Sequence, residues 1–252
     1  LNPTAKSRVG ATGIWQFMYP TGKQYDLNVS SYIDERCDPY KSTIAACRYF
    51  SHLYSIYNDW YLVLAAYNYG TGNVNKAIRR AGGTGDFWRI ARQIPAETRS
   101  YIPAFIAVNY LMNYHQEHNL YPNLPKNLYA NIDTVVLKDR VSFTQISETI
   151  GVSIDDLKYL NPSYKQGIVP VDDKKLYSLV LPKEFIGSFI NNEQLIYNYK
   201  KEELQIVAEP EIITKYHRVK KGQTLSYVAK QYKCSVNDIK QWNKLRSTNL
   251  KI

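Results

Sequence analysis

Phe143 to Asn161 reads FTQISETIGVSIDDLKYLN, and Leu225 to Asn243, at an offset of 82 residues, reads LSYVAKQYKCSVNDIKQWN. The two stretches are one pattern written twice. Phe143 matches Leu225, Ile146 matches Val228, Val152 matches Cys234, Leu157 matches Ile239 and Leu160 matches Trp242. Each copy holds the same helix-start box, Ser153-x-x-Asp156 and Ser235-x-x-Asp238. In such a box, side chain and backbone satisfy each other at the open N–H groups of a new helix. A short β-type run precedes each copy, Ile132 to Leu137 and Tyr216 to Val219. Each unit therefore reads strand, helix, helix, a small α+β module.

The chain around the repeat divides by composition. Lys183 to Tyr199 has amphipathic spacing at Phe185, Phe189, Ile190 and Ile196, which predicts a helix lying on the first repeat. Lys200 to Lys215 is charged, mixed in sign and contains Pro210, as a linker would be. Tyr121-Pro122-Asn123-Leu124-Pro125 marks a boundary on the other side. Residues 1–125 are helical in pattern. Lys41 to Tyr57 places Ile44, Cys47, Phe50, Leu53, Tyr54 and Tyr57 on one helix face, with Asp38 as N-cap and Pro39 at N1. Trp60 to Tyr67 is a nearly all-apolar helix, which predicts burial, and Gly70 offers a left-handed cap. Arg99 to Tyr114 is a further helix with Pro103 near its first turns, and Gly82-Gly83 is a turn. The expected organisation is 1–125, 126–199, a linker at 200–215, and 216–252 with its closing strand cut short.

A chain of 252 residues is long enough for one to three domains with a real core. Its first residue is Leu, which predicts a fragment or a processed product. No run of about 18 apolar residues is present to span a bilayer. Three cysteines (Cys37, Cys47, Cys234) are too few for a disulfide framework, and buried or idle thiols are expected. The net charge of +10 is uneven: +4 over residues 1–125, −2 over 126–215 and +8 over 216–252. The basic excess of the last segment suits a polyanion or an anionic envelope, and equally a solvated face. His52, His115, His118 and His217 form no metal site; His115 and His118 are at i and i+3 but lack a third ligand. There is no phosphate loop and no Ser-His-Asp pattern.

Three motifs stand in residues 1–125. Asn2 to Met18 reads NPTAKSRVGATGIWQFM, Ala65 to Gly72 reads AAYNYGTG, and Pro95 to Tyr101 reads PAETRSY. Taken singly, each has an ordinary explanation. A Gly-Ala-x-Gly run is a common turn. A Tyr at a helix end packs in a core with its hydroxyl satisfied. A Glu at a helix start interacts favourably with the helix dipole.

Together, in this order, they resemble the catalytic domain of the lytic transglycosylases, which cleave the glycan strands of bacterial peptidoglycan. The resemblance implies a lysozyme-like, mainly α fold and one catalytic Glu. In the family that Glu belongs to a Glu-Ser pair just ahead of the first motif, so by register it lies three residues before Leu1. The sequence from Leu1 is then expected to be inactive or nearly so. The resemblance places Tyr67 beside that Glu as a supporting catalytic residue. It places Ser7, Gln16, Met18, Asn68, Glu97 and Tyr101 in or around the groove. Gly10 and Gly13 would let backbone approach substrate. Glu97 is a tempting substitute acid, but the family makes it a substrate-contacting or structural residue. Gly70-Thr71-Gly72 departs from the family's usual Gly-Pro-Gly.

The repeated unit resembles the LysM domain, which binds the N-acetyl sugars of peptidoglycan or chitin. Val219-Lys220-Lys221-Gly222-Gln223-Thr224-Leu225 carries the likeness in the second copy, with Gln223 in place of the commoner Asp. It nominates Gly222, Gln223, Thr224 and Asn243 for glycan contact. The first copy lacks that entry but keeps the turn Leu160-Asn161-Pro162. The whole is similar to the membrane-bound lytic murein transglycosylase D type, which joins this catalytic domain to LysM modules. The abundance of Tyr, 23 residues, is compatible with stacking on sugars.

The resemblance thus implies a mainly α lysozyme-like domain followed by small βααβ modules. It implies cleavage of the bond between N-acetylmuramic acid and N-acetylglucosamine without water, leaving 1,6-anhydro ends. No cofactor and no metal is expected, and no nucleic acid. The partner is the peptidoglycan strand, and the place is the bacterial envelope, periplasm or outer membrane. Membrane association is expected only through an anchor upstream of Leu1. The alternatives are a hydrolytic muramidase on the same fold and a glycan-binding protein without catalysis.

Overall fold

The computed structural model describes residues 2–123, 131–171, 175–201, 216–220, 222–232, 234–243, 245, 247 and 248. The chain separates into two compact units, Leu1–Pro210 and Glu211–Ile252.

The first unit begins with six α-helices: α1 (Tyr19–Gln24), α2 (Pro39–Tyr57), α3 (Trp60–Tyr69), α4 (Thr71–Arg80), α5 (Phe87–Ile90) and α6 (Ala96–Asn113). Local chemistry sets their ends. The Asp38 carboxylate accepts from the Lys41 N–H at 2.9 Å, with Pro39 in the first turn. Asn58, in the left-handed region at φ 49°, closes α2, and Asp59 at once caps α3 by accepting from Leu62 N–H at 2.8 Å. Gly70 ends α3 at φ 85°, ψ 142°. That region is open essentially to glycine alone, which is a stricter demand than the left-handed cap the sequence suggests. It lets the chain turn directly into α4.

Leu62 to Ala66 of α3 are all buried, among Leu53, Val74, Phe87, Ile90 and Ile102. The buried face of α2 differs from the expected one. It is built from Ser42, Ala45, Ala46 and Leu53, while Ile44, Cys47 and Tyr54 are exposed. Ala45 and Ala46 pack against Phe17 and Leu27 of the preceding segment, and Leu53 packs against α3. Pro103 lies well inside α6 and not in its first turns, because the helix starts three residues earlier than its apolar pattern.

The same unit continues with β1 (Ile132–Leu137), β2 (Val141–Ser142), α7 (Phe143–Ile150), α8 (Ile154–Leu160), β3 (Ile168–Val169), β4 (Tyr177–Pro182), α9 (Lys183–Asn191) and α10 (Glu193–Asn198). β1 and β4 pair antiparallel from Ile132↔Pro182 to Leu137↔Tyr177, and β2 pairs with β3. Alternate residues of β4 are buried, so Leu179 and Leu181 face the helices with Phe143, Ile146 and Leu157. Asn161 holds the sheet from the side: its carboxamide accepts from Val180 N–H at 2.8 Å and donates to Val180 C=O at 2.8 Å. Ser142 and Gln145 form a reciprocal capping box at α7. Ser153 caps α8 by accepting from Asp155 N–H at 3.2 Å.

One long helix was expected from Lys183 to Tyr199, but α9 and α10 are separate, broken at Asn192. The break lets Phe189 and Ile196 both enter the core, whereas Ile190 is 61% exposed.

In the second unit, α11 (Leu225–Tyr232) and α12 (Val236–Trp242) form the helical pair, with Leu225, Val228 and Ala229 buried. Here the capping box is complete. Asp238 N–H donates to Ser235 Oγ at 3.0 Å, and Ser235 N–H to the Asp238 carboxylate at 2.9 Å. Tyr216–Val219 is not a strand, contrary to expectation. The closing strand expected near Leu250 lies outside the described residues, as does most of the expected linker. No helix among the described residues is long and apolar enough to cross a membrane.

Candidate active site

The first motif folds into a compact loop. Lys6 bridges Thr12, Thr12 bridges Phe17, and Gly13 N–H donates to Ala5 C=O at 2.9 Å. Ser7 ties the turn by accepting Ala11 N–H on its hydroxyl at 3.0 Å. Gly13 has φ +86°, and a Cβ there would lie 1.8 Å from the Arg36 carbonyl oxygen. The close approach that this glycine permits is thus to the chain's own Arg36.

Arg36 is 6% exposed and organises the loop. Its Nε and Nη2 donate to the two carboxylate oxygens of Asp34 at 2.8 and 2.7 Å. Its Nη1 donates to Gly10 C=O at 3.1 Å and Phe17 C=O at 3.2 Å. A buried guanidinium requires such a full set of acceptors. The Glu35 carboxylate, 3% exposed, accepts from Asn28 N–H at 2.7 Å and from the Lys41 and Lys175 ammoniums at 2.8 Å each. Burial pushes its pKa up, but the hydrogen bonds from Lys175, Lys41 and Asn28 outweigh that, and it lies below the usual value. None of Asp34, Glu35 and Arg36 was singled out from the sequence. Their signal was a run of charges, Asp34-Glu35-Arg36, beside an apolar Ile33, and charge runs usually face water.

The second motif meets this loop at Tyr67. The Tyr67 hydroxyl donates to the Trp15 carbonyl at 2.7 Å. Its ring stacks on Phe50 at 4.6 Å and meets Tyr49 at 5.4 Å and Phe17 at 6.3 Å. Trp15 is held in turn by Thr43, whose hydroxyl accepts its indole N–H at 2.8 Å. Burial, and then the neighbouring Tyr101 and Tyr49, drives the Tyr67 phenol far above its usual pKa, so it stays neutral.

The third motif joins through Thr98, whose hydroxyl donates to the Asn68 carboxamide at 2.7 Å. This bond connects the end of α3 to the first turn of α6, which carries Glu97 and Tyr101. Gln16 sits between Trp15 and Phe17 at φ +51°, exposed, and its amide donates to Gly13 C=O at 2.7 Å. Met18 is exposed at the loop's exit. Tyr67, Asn68 and Tyr101 therefore lie near the end of α3, and Gln16 follows Trp15, whose carbonyl Tyr67 holds. Ser7 serves the loop turn, and Glu97 is exposed, its backbone carbonyl accepting from the Ser100 hydroxyl at 2.9 Å.

In the second unit, Gly222 (φ +88°), Gln223 and Thr224 shape the turn into α11. Gln223 Oε1 accepts from Lys220 N–H at 2.9 Å and lies 2.9 Å from His217 Nε2. Thr224 caps the helix by accepting Tyr227 N–H at 3.3 Å. Asn243 donates to Ile239 C=O at 2.9 Å, as Asn161 does to Leu157 C=O in the first copy. Among the described residues no group of three or more His, Cys, Asp or Glu side chains could hold a metal ion. His115 Nδ1 lies 2.8 Å from Leu120 C=O, a capping contact.

Residues 1–88 match the family model of the Transglycosylase SLT domain, residues 131–198 that of the lytic transglycosylase MltD LysM-like domain, and residues 217–252 that of the LysM domain. The chain joins an SLT domain to LysM-type modules. It is 29% identical, over 99% of its length, to membrane-bound lytic murein transglycosylase D of Escherichia coli (strain K12), of which it covers 55%. The protein of that name from Escherichia coli O6:H1 (strain CFT073) aligns with the same identity and coverage. The chain thus spans about half the length of the curated relatives it matches. The Pro95–Tyr101 motif lies beyond the SLT match, and the Thr98–Asn68 bond connects it to the SLT region.

Proposed function

We propose that this protein is a lytic transglycosylase of peptidoglycan, cutting between N-acetylmuramic acid and N-acetylglucosamine and leaving 1,6-anhydro ends. The observation that carries the reading is the Tyr67 hydroxyl on the Trp15 carbonyl at 2.7 Å, beside Gln16, with Asn68 tied to Thr98. Three separated motifs thereby face one end of α3.

We infer that the acid is the single Glu that the resemblance to the lytic transglycosylases puts just ahead of the first motif and beside Tyr67. It protonates the leaving O4 of N-acetylglucosamine as the bond to C1 breaks. The N-acetyl group stabilises the cationic C1. The carboxylate then takes the proton of the C6 hydroxyl as O6 bonds to C1, so the proton is returned and no water is consumed. Single-carboxylate chemistry of this kind relies on substrate assistance.

Tyr67 supplies a specific element. Its proton is committed to the Trp15 carbonyl, so its oxygen has lone pairs to offer. An acceptor beside a carboxyl favours the protonated form and raises its pKa, which suits a general acid. Gln16, Met18, Asn68, Glu97 and Tyr101 bind the glycan around it, and Ser7 shapes the loop. Gly222, Gln223, Thr224 and Asn243 belong to the glycan-binding turns of the last module, whose basic charge suits an anionic envelope. The modules raise the local concentration of strand at the active site. The location is the bacterial envelope, in keeping with the membrane-bound relatives.

The test is mass spectrometry of products from purified peptidoglycan treated with protein extended upstream of Leu1. Muropeptides one water lighter than reducing products are expected, together with no turnover by the chain from Leu1 alone. Reducing ends would make it a muramidase, and no products would leave a glycan-binding protein.

A further inference from the structure

The first LysM-like module is bound into the helical part by backbone as well as side chains. Residues 32–34 lie against 163–165 as a bridge, Ile33↔Tyr164, with Asp34 N–H donating to Ser163 C=O and Lys165 N–H to Tyr32 C=O, both at 2.8 Å. Ile33, 1% exposed, belongs to the module's own core with Phe143, Leu157 and Leu179. Lys165 Nζ donates to Ser30 C=O at 2.5 Å, Lys175 reaches Glu35, and the Arg140 guanidinium lies over the Tyr32 ring at 5.0 Å. The segment that the module grips is the one that carries Asp34 and Arg36. From there the contacts run without a gap: Ser163 to Asp34, Asp34 to Arg36, Arg36 to the carbonyls of Gly10 and Phe17, and Phe17 to its neighbour Gln16.

We propose that Arg36 is a positioning residue for the Gln16 loop, anchored through Asp34 and Ile33 in the first LysM-like module, so that this module works as part of the catalytic body. This rests on the lytic transglycosylase reading for its consequence in turnover, though not for its effect on the loop. The geometry explains why Arg is used. Four of its bonds leave three nitrogens, two to the Asp34 carboxylate and two to the carbonyls of Gly10 and Phe17. A lysine has one nitrogen and can serve Asp34 or the carbonyls, but not both sets.

The experiment uses the full chain, extended upstream of Leu1, with two variants. Arg36→Lys keeps the buried positive charge and tests the fork. Ile33→Ala loosens the module's grip at a residue outside the loop. Hydrogen exchange of the Gly10–Phe17 amides is expected to speed up by about tenfold or more in both, under conditions where the fold is intact by circular dichroism. At saturating soluble glycan, kcat is expected to fall about tenfold or more, as misplacement of positioning groups does, while KM changes by less than about threefold. Wild-type exchange of the loop in Arg36→Lys would overturn the proposal, even with a lowered melting temperature, since a purely structural arginine lowers Tm without freeing this loop selectively. Faster loop exchange in Arg36→Lys but not in Ile33→Ala would overturn the module's part in it. If the unaltered protein yields no glycan product, the proposed activity fails while the exchange measurement still decides the role of Arg36.

Discussion

Gly13→Ala strikes the joint between the first motif and Arg36. An added Cβ would sit 1.8 Å from the Arg36 carbonyl oxygen and 2.8 Å from its carbon, at φ +86°. The dihedral alone costs about 1–2 kcal/mol for a residue with a Cβ. The contact must also be relieved, and Arg36 cannot retreat cheaply, since its side chain is forked onto Asp34 and bonded to Gly10 and Phe17. Overpacking of this kind adds roughly 1–3 kcal/mol. The total, about 2–5 kcal/mol, lowers the melting temperature of the Leu1–Pro210 unit by roughly 4–20 °C at about 2–4 °C per kcal/mol. Gly10→Ala is the matched control. Its φ is +88°, but its Cβ would meet no atom within 4 Å, so it bears only the dihedral cost. Thermal or urea unfolding of the two variants side by side isolates the contact. Equal destabilisation, within about 0.5 kcal/mol, would refute the claim that Gly13 is demanded by Arg36.

Tyr67→Phe removes the 2.7 Å bond to Trp15 and is expected to cost about 0.5–1.5 kcal/mol in urea unfolding. In the upstream-extended protein it should also lower glycan turnover by roughly tenfold to a hundredfold, measured as anhydro product. Asn161→Ala leaves Val180 N–H and C=O without their side-chain partner inside the first module, and should destabilise the unit by about 1–3 kcal/mol in the same assay. Glu35 gives a pH signature. Its folded pKa is lowered from the usual 4.5, so the stability it contributes is present above that value and is lost as pH falls through the folded pKa. Glu35→Gln should therefore differ from the unaltered protein above pH 4.5 and converge with it in acid, as read from urea midpoints across pH.

The elements legible in the sequence are those whose signal is local. Asp38-Pro39 announces its helix, and Ile132–Leu137 has the strand composition that forms β1. The elements misread depend on a neighbour. The buried face of α2 is chosen by what packs against it, so small Ala45 and Ala46 are inside while Ile44 is out. The break at Asn192 is chosen by the need of Phe189 and Ile196 for one core. Tyr216–Val219 has strand-type residues but does not form a strand, and the closing strand expected near Leu250 lies outside the described residues.

The same distinction separates the candidate site from the frame that holds it. Tyr67, Asn68 and Gln16 stand out in sequence because they lie in short motifs that carry the resemblance, and the structure ties Tyr67 to Trp15, the neighbour of Gln16, and Asn68 to Thr98. Arg36 and Asp34 do not stand out, because nothing local tells a buried ion pair from a solvated one. What makes them a buried pair is distant: Gly10 and Phe17 on one side, and Ser163 on the other, 129 residues along the chain from Asp34. A buried pair of this sort is weak evidence for stability, since its desolvation cost can match its attraction. Its return is geometric. The four bonds from Arg36 to Asp34, Gly10 and Phe17 are directional, so together they favour one arrangement of the loop. The proposed acid must meet Tyr67 and the sugar within a fraction of an ångström for proton transfer, and a loop held by directional bonds meets that demand where an apolar contact, indifferent to direction, would not.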